Sequence, residues 1–177
     1  MRFETRAFLD GTVEEVEQAM LDPRYLDYLL HHHGVLLEVK LLDRKDEGAV
    51  VRRRVRYRPK PVIASVGPKA VPPEWFAFVE DSTYDKTRRQ LRFTNVPTTE
   101  KVSRLLMNSG TLSLRSAGKR CERTLEGDIK LSLPFFLKPL AMLGERLIQS
   151  EGLKILDAEV PVLNGFIREY LRPAGSA

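Results

Sequence analysis

The stretch CERTLEGDIKLSLPFFLKPLAMLGERLIQS, residues 121–150, changes its period at Pro134. Before it, Leu125, Ile129, Leu131 and Leu133 fall on one face of an extended chain. Glu122, Thr124, Glu126, Asp128 and Lys130 fall on the other. That alternation reads as a strand with one buried and one solvated face. After Pro134, the residues Phe136, Leu140, Leu143 and Leu147 are spaced as one stripe of a helix. Leu156, Val160, Leu163 and Ile167 continue a similar stripe to about Leu171, and Pro161 is expected to kink or break the helix near Asp157 to Val160. The first half of this helix reads as a pocket wall, and the part after Pro161 as a clamp or movable end.

Working outward, the same period of two recurs. Phe3, Thr5, Ala7 and Leu9 share a side of a first strand, Met1 to Leu9. Asp10-Gly11 is a turn, and Thr12 with Glu15 forms a capping box for a helix to about Leu21. Asp22-Pro23 starts a second helix with Tyr25, Leu26, Leu29 and Leu30 inward, ended by Gly34. Strands follow at Val35–Leu41, Ala49–Arg58, Trp75–Ser82, Gln90–Asn95, Gly110–Ser116 and Cys121–Leu133. A Pro-rich loop, Pro59 to Pro73, and a loop or short helix near Glu100 to Met107 interrupt them. The order is strand, two helices, six antiparallel strands and a long helix (β-α-α-β6-α). An α+β domain over residues 1–172 follows, its curved sheet wrapped around the last helix, with a flexible tail at 173–177.

The chain has 177 residues, enough for one domain, and 42% hydrophobic content supplies a core. With one cysteine, Cys121, there is no internal disulfide. No stretch reaches the roughly 18 apolar residues of a membrane span, and the N-terminus carries no signal-peptide pattern, so a cytoplasmic location is expected. A net charge of +5 fits an anionic membrane, nucleic acid or neither.

That element order resembles the helix-grip fold of the SRPBCC superfamily, which includes START lipid-transfer domains and polyketide cyclases. Gly48 before an Arg-rich strand, Pro73-Glu74-Trp75, the run Glu80 to Asp85 and Thr94-Asn95 are similar to the organisation of PRELI-like phospholipid carriers, and to an uncharacterised bacterial branch of the superfamily. The resemblance implies a pocket for an apolar molecule between sheet and helix.

The candidate ligand-binding residues are Arg53, Tyr57, Trp75, Phe76, Phe78, Glu80, Phe93, Leu140 and Gly144. Arg53 falls on the inward face of its strand, where a guanidinium needs a partner. It either pairs with Glu80 or reaches a ligand phosphate or carboxylate by its fork. Trp75, Phe76, Phe78 and Phe93 are core packing or pocket lining, and Ala141, Gly144 and Gly152 thin one side of the last helix. Arg52, Arg54, Arg56 and Arg58 form an outward row, read as a solvated, carboxylate-paired face or as a docking stripe for anionic lipid. Val62, Ile63, Val66 and Val71, with Lys60 and Lys69, form a candidate membrane-touching gate. His31, His32 and His33 point about 100° apart on a helix and do not make a metal site. No catalytic residues, cofactor or metal are expected, and no nucleic-acid partner. Three functions stay open: binding or transport of a lipid-like ligand such as an acidic phospholipid, a cyclase- or hydrolase-type enzyme, and an interaction module with a filled core.

Overall fold

In the computed structural model the alternation produces strands and the 3.6-residue stripes produce helices. The structure describes residues 1–61, 65–66, 69–132 and 138–172, with backbone alone at 65, 66, 69, 70 and 138–143. Leu133, Pro134, Phe136, Val62, Ile63 and the tail 173–177 lie outside the described residues, as do the side chains of Leu140, Ala141 and Leu143.

Strand β1 (Arg2–Leu9) leads into α1 (Val13–Leu21) and α2 (Pro23–His32). Then come β2 (Leu36–Glu47), β3 (Val50–Pro59), the two-residue strands β4 (Ser65–Val66) and β5 (Lys69–Ala70), β6 (Phe78–Asp85) and β7 (Gln90–Pro97). A single turn α3 (Glu100–Ser103), β8 (Leu106–Ala117), β9 (Arg120–Leu131) and α4 (Lys138–Phe166) complete the chain, with a π turn at Ile167–Leu171. Seven strands form one antiparallel sheet in the order β1-β9-β8-β7-β6-β3-β2. This is the expected α+β architecture, with α4 packed along the concave face against β1, β9, α1 and α2.

The local signals act as chemistry requires. Thr12 Oγ1 accepts from the Glu15 amide and the Glu15 carboxylate accepts from the Thr12 amide, closing the capping box. Asp22 caps α2 ahead of Pro23. Gly34, Gly48 and Gly118 turn the chain at positive φ (71°, 66° and 69°), where a Cβ would be strained.

Several boundaries differ from the sequence reading. Trp75 and Phe76 are not on a strand: Pro72-Pro73 steers the chain into a 3-10 turn over Pro73–Phe76, and β6 starts only at Phe78. β2 is twelve residues long because bulges between Leu36 and Glu38 and between Leu41 and Asp43 let it continue past a break in alternation. Helix α4 runs unbroken through Pro161. The segment after Pro161 is core: Leu163, Phe166 and Ile167 are completely buried. Tyr28 and Tyr25 meet Phe166 edge-on, and Gly165 lets the Tyr28 ring lie where a Cβ would sit 2.7 Å from its hydroxyl. That end is therefore an anchor, whereas Leu147 in the first half is exposed.

Candidate functional site

Strand register sorts the inward side chains into cross-sheet rows. One row, Val51–Tyr84–Leu91–Leu112–Leu125, is sealed, each member at most 6% exposed. The next holds Arg53–Ser82–Phe93–Gly110–Gly127, and the one beyond it Val55–Glu80–Asn95–Asn108–Ile129. A further row carries Tyr57, Phe78 and Pro97. Tyr57, Phe78, Glu80, Phe93, Asn95 and Asn108 all face inward yet keep part of their surface accessible. The inner face thus passes from closed core to an accessible lining within three rows.

Arg53 is 8% exposed and donates to the Met20 carbonyl at 2.7 Å, while Arg44 donates to the Leu21 carbonyl at 2.6 Å. Two guanidinium groups from the sheet therefore meet the last carbonyls of α1, which has no basic residue of its own in its final turn. Arg53 forms no salt bridge with Glu80, so the expected ion pair is not the arrangement found: the α1 carbonyl takes the donor instead. Glu80 lies deep among protein atoms, and burial pushes its carboxyl above the ordinary value of 4.5, against the nearby Arg53 charge and the Ser82 hydroxyl. Burial, then the Glu80 charge, pushes the Tyr57 phenol well up in the same way. Both groups are strongly desolvated and still retain accessible surface.

The sequence reading did not single out the residues beside them. Asn95 Oδ1 and Asn108 Oδ1 are buried atoms with no hydrogen-bond partner among the described residues. An orphan of this kind costs about 1–3 kcal/mol, and here two of them oppose each other across β7 and β8. Opposite them, Glu159 of α4 accepts from Arg123 at 2.7 Å and from the Tyr25 hydroxyl at 3.0 Å, and Arg123 also donates to the Leu156 carbonyl at 3.2 Å. Glu145 of the same helix accepts from the Leu131 amide at 2.8 Å. Gly152 stands seven residues from each of these carboxylates, so it shares their sheet-facing side. A Cβ at Gly152 would meet nothing within 4 Å. Alternation could have located Asn95 and Asn108 on the inner face, but only the register brings Glu80, Asn95 and Asn108 side by side.

Solved structures of the same architecture are extensive matches. The protein TTHA0849 of Thermus thermophilus superposes with a TM-score of 0.65 at 18% identity, covering 93% of this chain and 98% of its own. The Zhui aromatase/cyclase from a Streptomyces species gives 0.65 at 13% identity, over 100% and 99%. Norcoclaurine synthase from Thalictrum flavum gives 0.64 at 13%, over 96% and 87%. The chain has the helix-grip fold. No protein-family model matches it, and no curated protein does.

The remaining candidates take distinct places in this helix-grip frame. Phe78 stacks on Tyr57 with ring centroids 5.4 Å apart. Phe93 lies over Gly110, where a Cβ would come within 2.7 Å of its ring. Trp75 is 44% exposed on its turn, outside the sheet. At Gly144 the missing side chain leaves no space: a Cβ there would meet Leu131 Cδ2 at 2.8 Å, so this glycine lets the helix approach β9. The outward arginines pair with carboxylates, Arg52 with Glu47, Arg54 with Asp81, Arg56 with Glu38, and Arg58 with Glu38 and Glu74. The three histidines hydrogen-bond three separate carbonyls, those of Asp27, Tyr28 and Ile155. Cys121 is buried, and burial pushes its thiol up to about 11, away from nucleophilic use. Among the described residues, no helix is long and apolar enough to cross a membrane.

Proposed function

We propose that the chain binds a lipid-like apolar small molecule in the space between α4 and the β3-β6-β7 part of the sheet. The observation that carries this reading is the pairing of depth with accessibility at Glu80 and Tyr57, opposite an uncrowded Gly152. Phe78, Phe93 and the Tyr57 ring supply apolar lining, and the partly accessible Asn95 and Asn108 side chains supply polar contacts. Fold likeness adds support: norcoclaurine synthase has been solved in complex with dopamine and hydroxybenzaldehyde. Delivery at an anionic membrane would extend the same reading, with Trp75 on the exposed turn beside the Pro-rich loop as its contact. Native mass spectrometry of the purified chain tests the binding reading. An adduct released by denaturation supports it; a bare chain that also takes up no apolar dye removes it.

A second reading, an enzyme of the cyclase kind, draws on one observation: a carboxyl whose burial favours its protonated form lies close to the Tyr57 phenol. It is tested by comparing the small molecule carried by the parent chain with that carried by Glu80→Gln. Different masses indicate conversion at this site, and identical masses indicate binding alone.

A further inference from the structure

The charges around the inner polar groups do not balance. Arg53 and Glu159 are the charged side chains felt by both the Tyr57 phenol and the Glu80 carboxyl. Glu159 is spent on Arg123, 2.7 Å away. Burial holds Glu80 toward its neutral acid. That leaves Arg53, 8% exposed, as a cation with no ion pair among the described residues. A buried guanidinium is costly without a countercharge. The Met20 carbonyl takes one bond from Nη1, and the end of α1 supplies only a partial charge. Nε and Nη2 form the edge that grips a carboxylate or phosphate with two parallel bonds. Neither has a hydrogen-bond partner among the described residues, and neither belongs to the atoms sealed from solvent without one, so this edge keeps accessible surface. The Tyr57 phenol and the acid form of Glu80 can donate as well. The Asn95 and Asn108 amides both donate and accept, so they set no sign.

We propose that the Nε–Nη2 edge of Arg53 receives an acidic head group, so that the chain selects a hydrocarbon acid, carboxylate or phosphate, over the alcohol or amine of the same length. The inference rests on the binding reading above and narrows its ligand. An anion beside Arg53 brings the negative charge that the neighbouring side chains do not supply. It does so without taking Nη1 from the Met20 carbonyl, since the two edges of a guanidinium serve different partners. An alcohol would fill the same bonds and leave the charge unmet. An ammonium group would add a second cation.

The test is displacement of the apolar dye phenylnaphthylamine from the purified chain by four competitors that share a dodecyl chain. These are dodecanoate, dodecyl phosphate, dodecanol and dodecylamine, each kept below micelle formation. At least one of the two anions is expected to bind about tenfold or more tightly than the alcohol and the amine, the scale of a charge-assisted hydrogen bond. The ranking of dodecanoate against dodecyl phosphate separates the two sources of the anion. Arg53→Met should bring the preferred anion down to the level of dodecanol and leave dye affinity unchanged. Arg44→Met removes the other guanidinium from the same end of α1, one already paired with Asp46, and should keep the preference. That contrast separates contact with the ligand from support of the helix end. If Arg53→Met does not fold, Arg53→Lys replaces it: the fork is lost, and the preferred anion should weaken at least about threefold. Dye binding with no preference for either anion, or a preference that survives loss of the Arg53 fork, overturns this proposal and leaves the binding reading standing. Failure of the dye itself to bind overturns both.

Discussion

Asn95 and Asn108 oppose each other across β7 and β8, and each keeps a buried carbonyl oxygen without a hydrogen-bond partner among the described residues. A pair this costly on an inner sheet face points to function before stability. Replacing either residue with leucine removes an orphan and adds apolar volume. Each variant is expected to gain about 1 kcal/mol in urea unfolding. A loss of that size would show that these oxygens serve the fold itself.

Glu80 gives a pH signature with a definite sign. Its folded value is raised above 4.5, so the folded chain holds a proton that the unfolded chain has released. The associated stability is complete below the unfolded value and is lost as pH rises through the folded value. Glu80→Gln cannot ionise and escapes that loss. Its melting temperature should match the parent's in acid and exceed it above neutrality, by about 2–4 °C for each kcal/mol relieved. An advantage that shrinks with rising pH would contradict the assignment.

Glu159 fastens α4 to the sheet through Arg123, which is 4% exposed, and to α2 through Tyr25. Glu159→Gln leaves a buried guanidinium without its countercharge. The expected destabilisation is about 3–5 kcal/mol by urea unfolding. Restoration on adding Arg123→Met would identify the unpaired charge as the cause.

Gly127 faces Phe3 from the paired strand, and a Cβ there would come within 2.4 Å of the ring. Gly127→Ala should cost about 1–3 kcal/mol through overpacking. Phe3→Leu in the same chain should recover part of that loss, giving a coupling of at least about 0.5 kcal/mol in a double-mutant cycle. Additive effects would place the strain elsewhere.

Much of the fold was readable because alternation and capping are local. Thr12 with Glu15, the inward set from Phe3 to Leu9, and the long final helix each follow from a few neighbouring residues. Trp75 and Phe76 misled because aromatic content suggested a strand, while the two prolines before them decided the backbone. Leu156 and Leu163 belong to the inward stripe, but so do Glu145, Gly152 and Glu159, which apolar periodicity discounts. The site was less legible still. Arg53 and Glu80 were placed on the correct face, yet their partners depend on where α1 ends against the sheet. Gly144 and Gly152 look alike in sequence; one admits Leu131 and the other faces open space.

Gly152 therefore offers the most direct test of the central claim, that an apolar molecule occupies the space between α4 and the sheet. The measurement is dye titration of the parent chain beside Gly152→Leu, with urea unfolding of both. Leucine improves helix propensity by about 1 kcal/mol and its side chain enters the proposed site. The account predicts saturable dye binding in the parent, and loss of binding in a variant at least as stable. Equal binding by the two chains would contradict it.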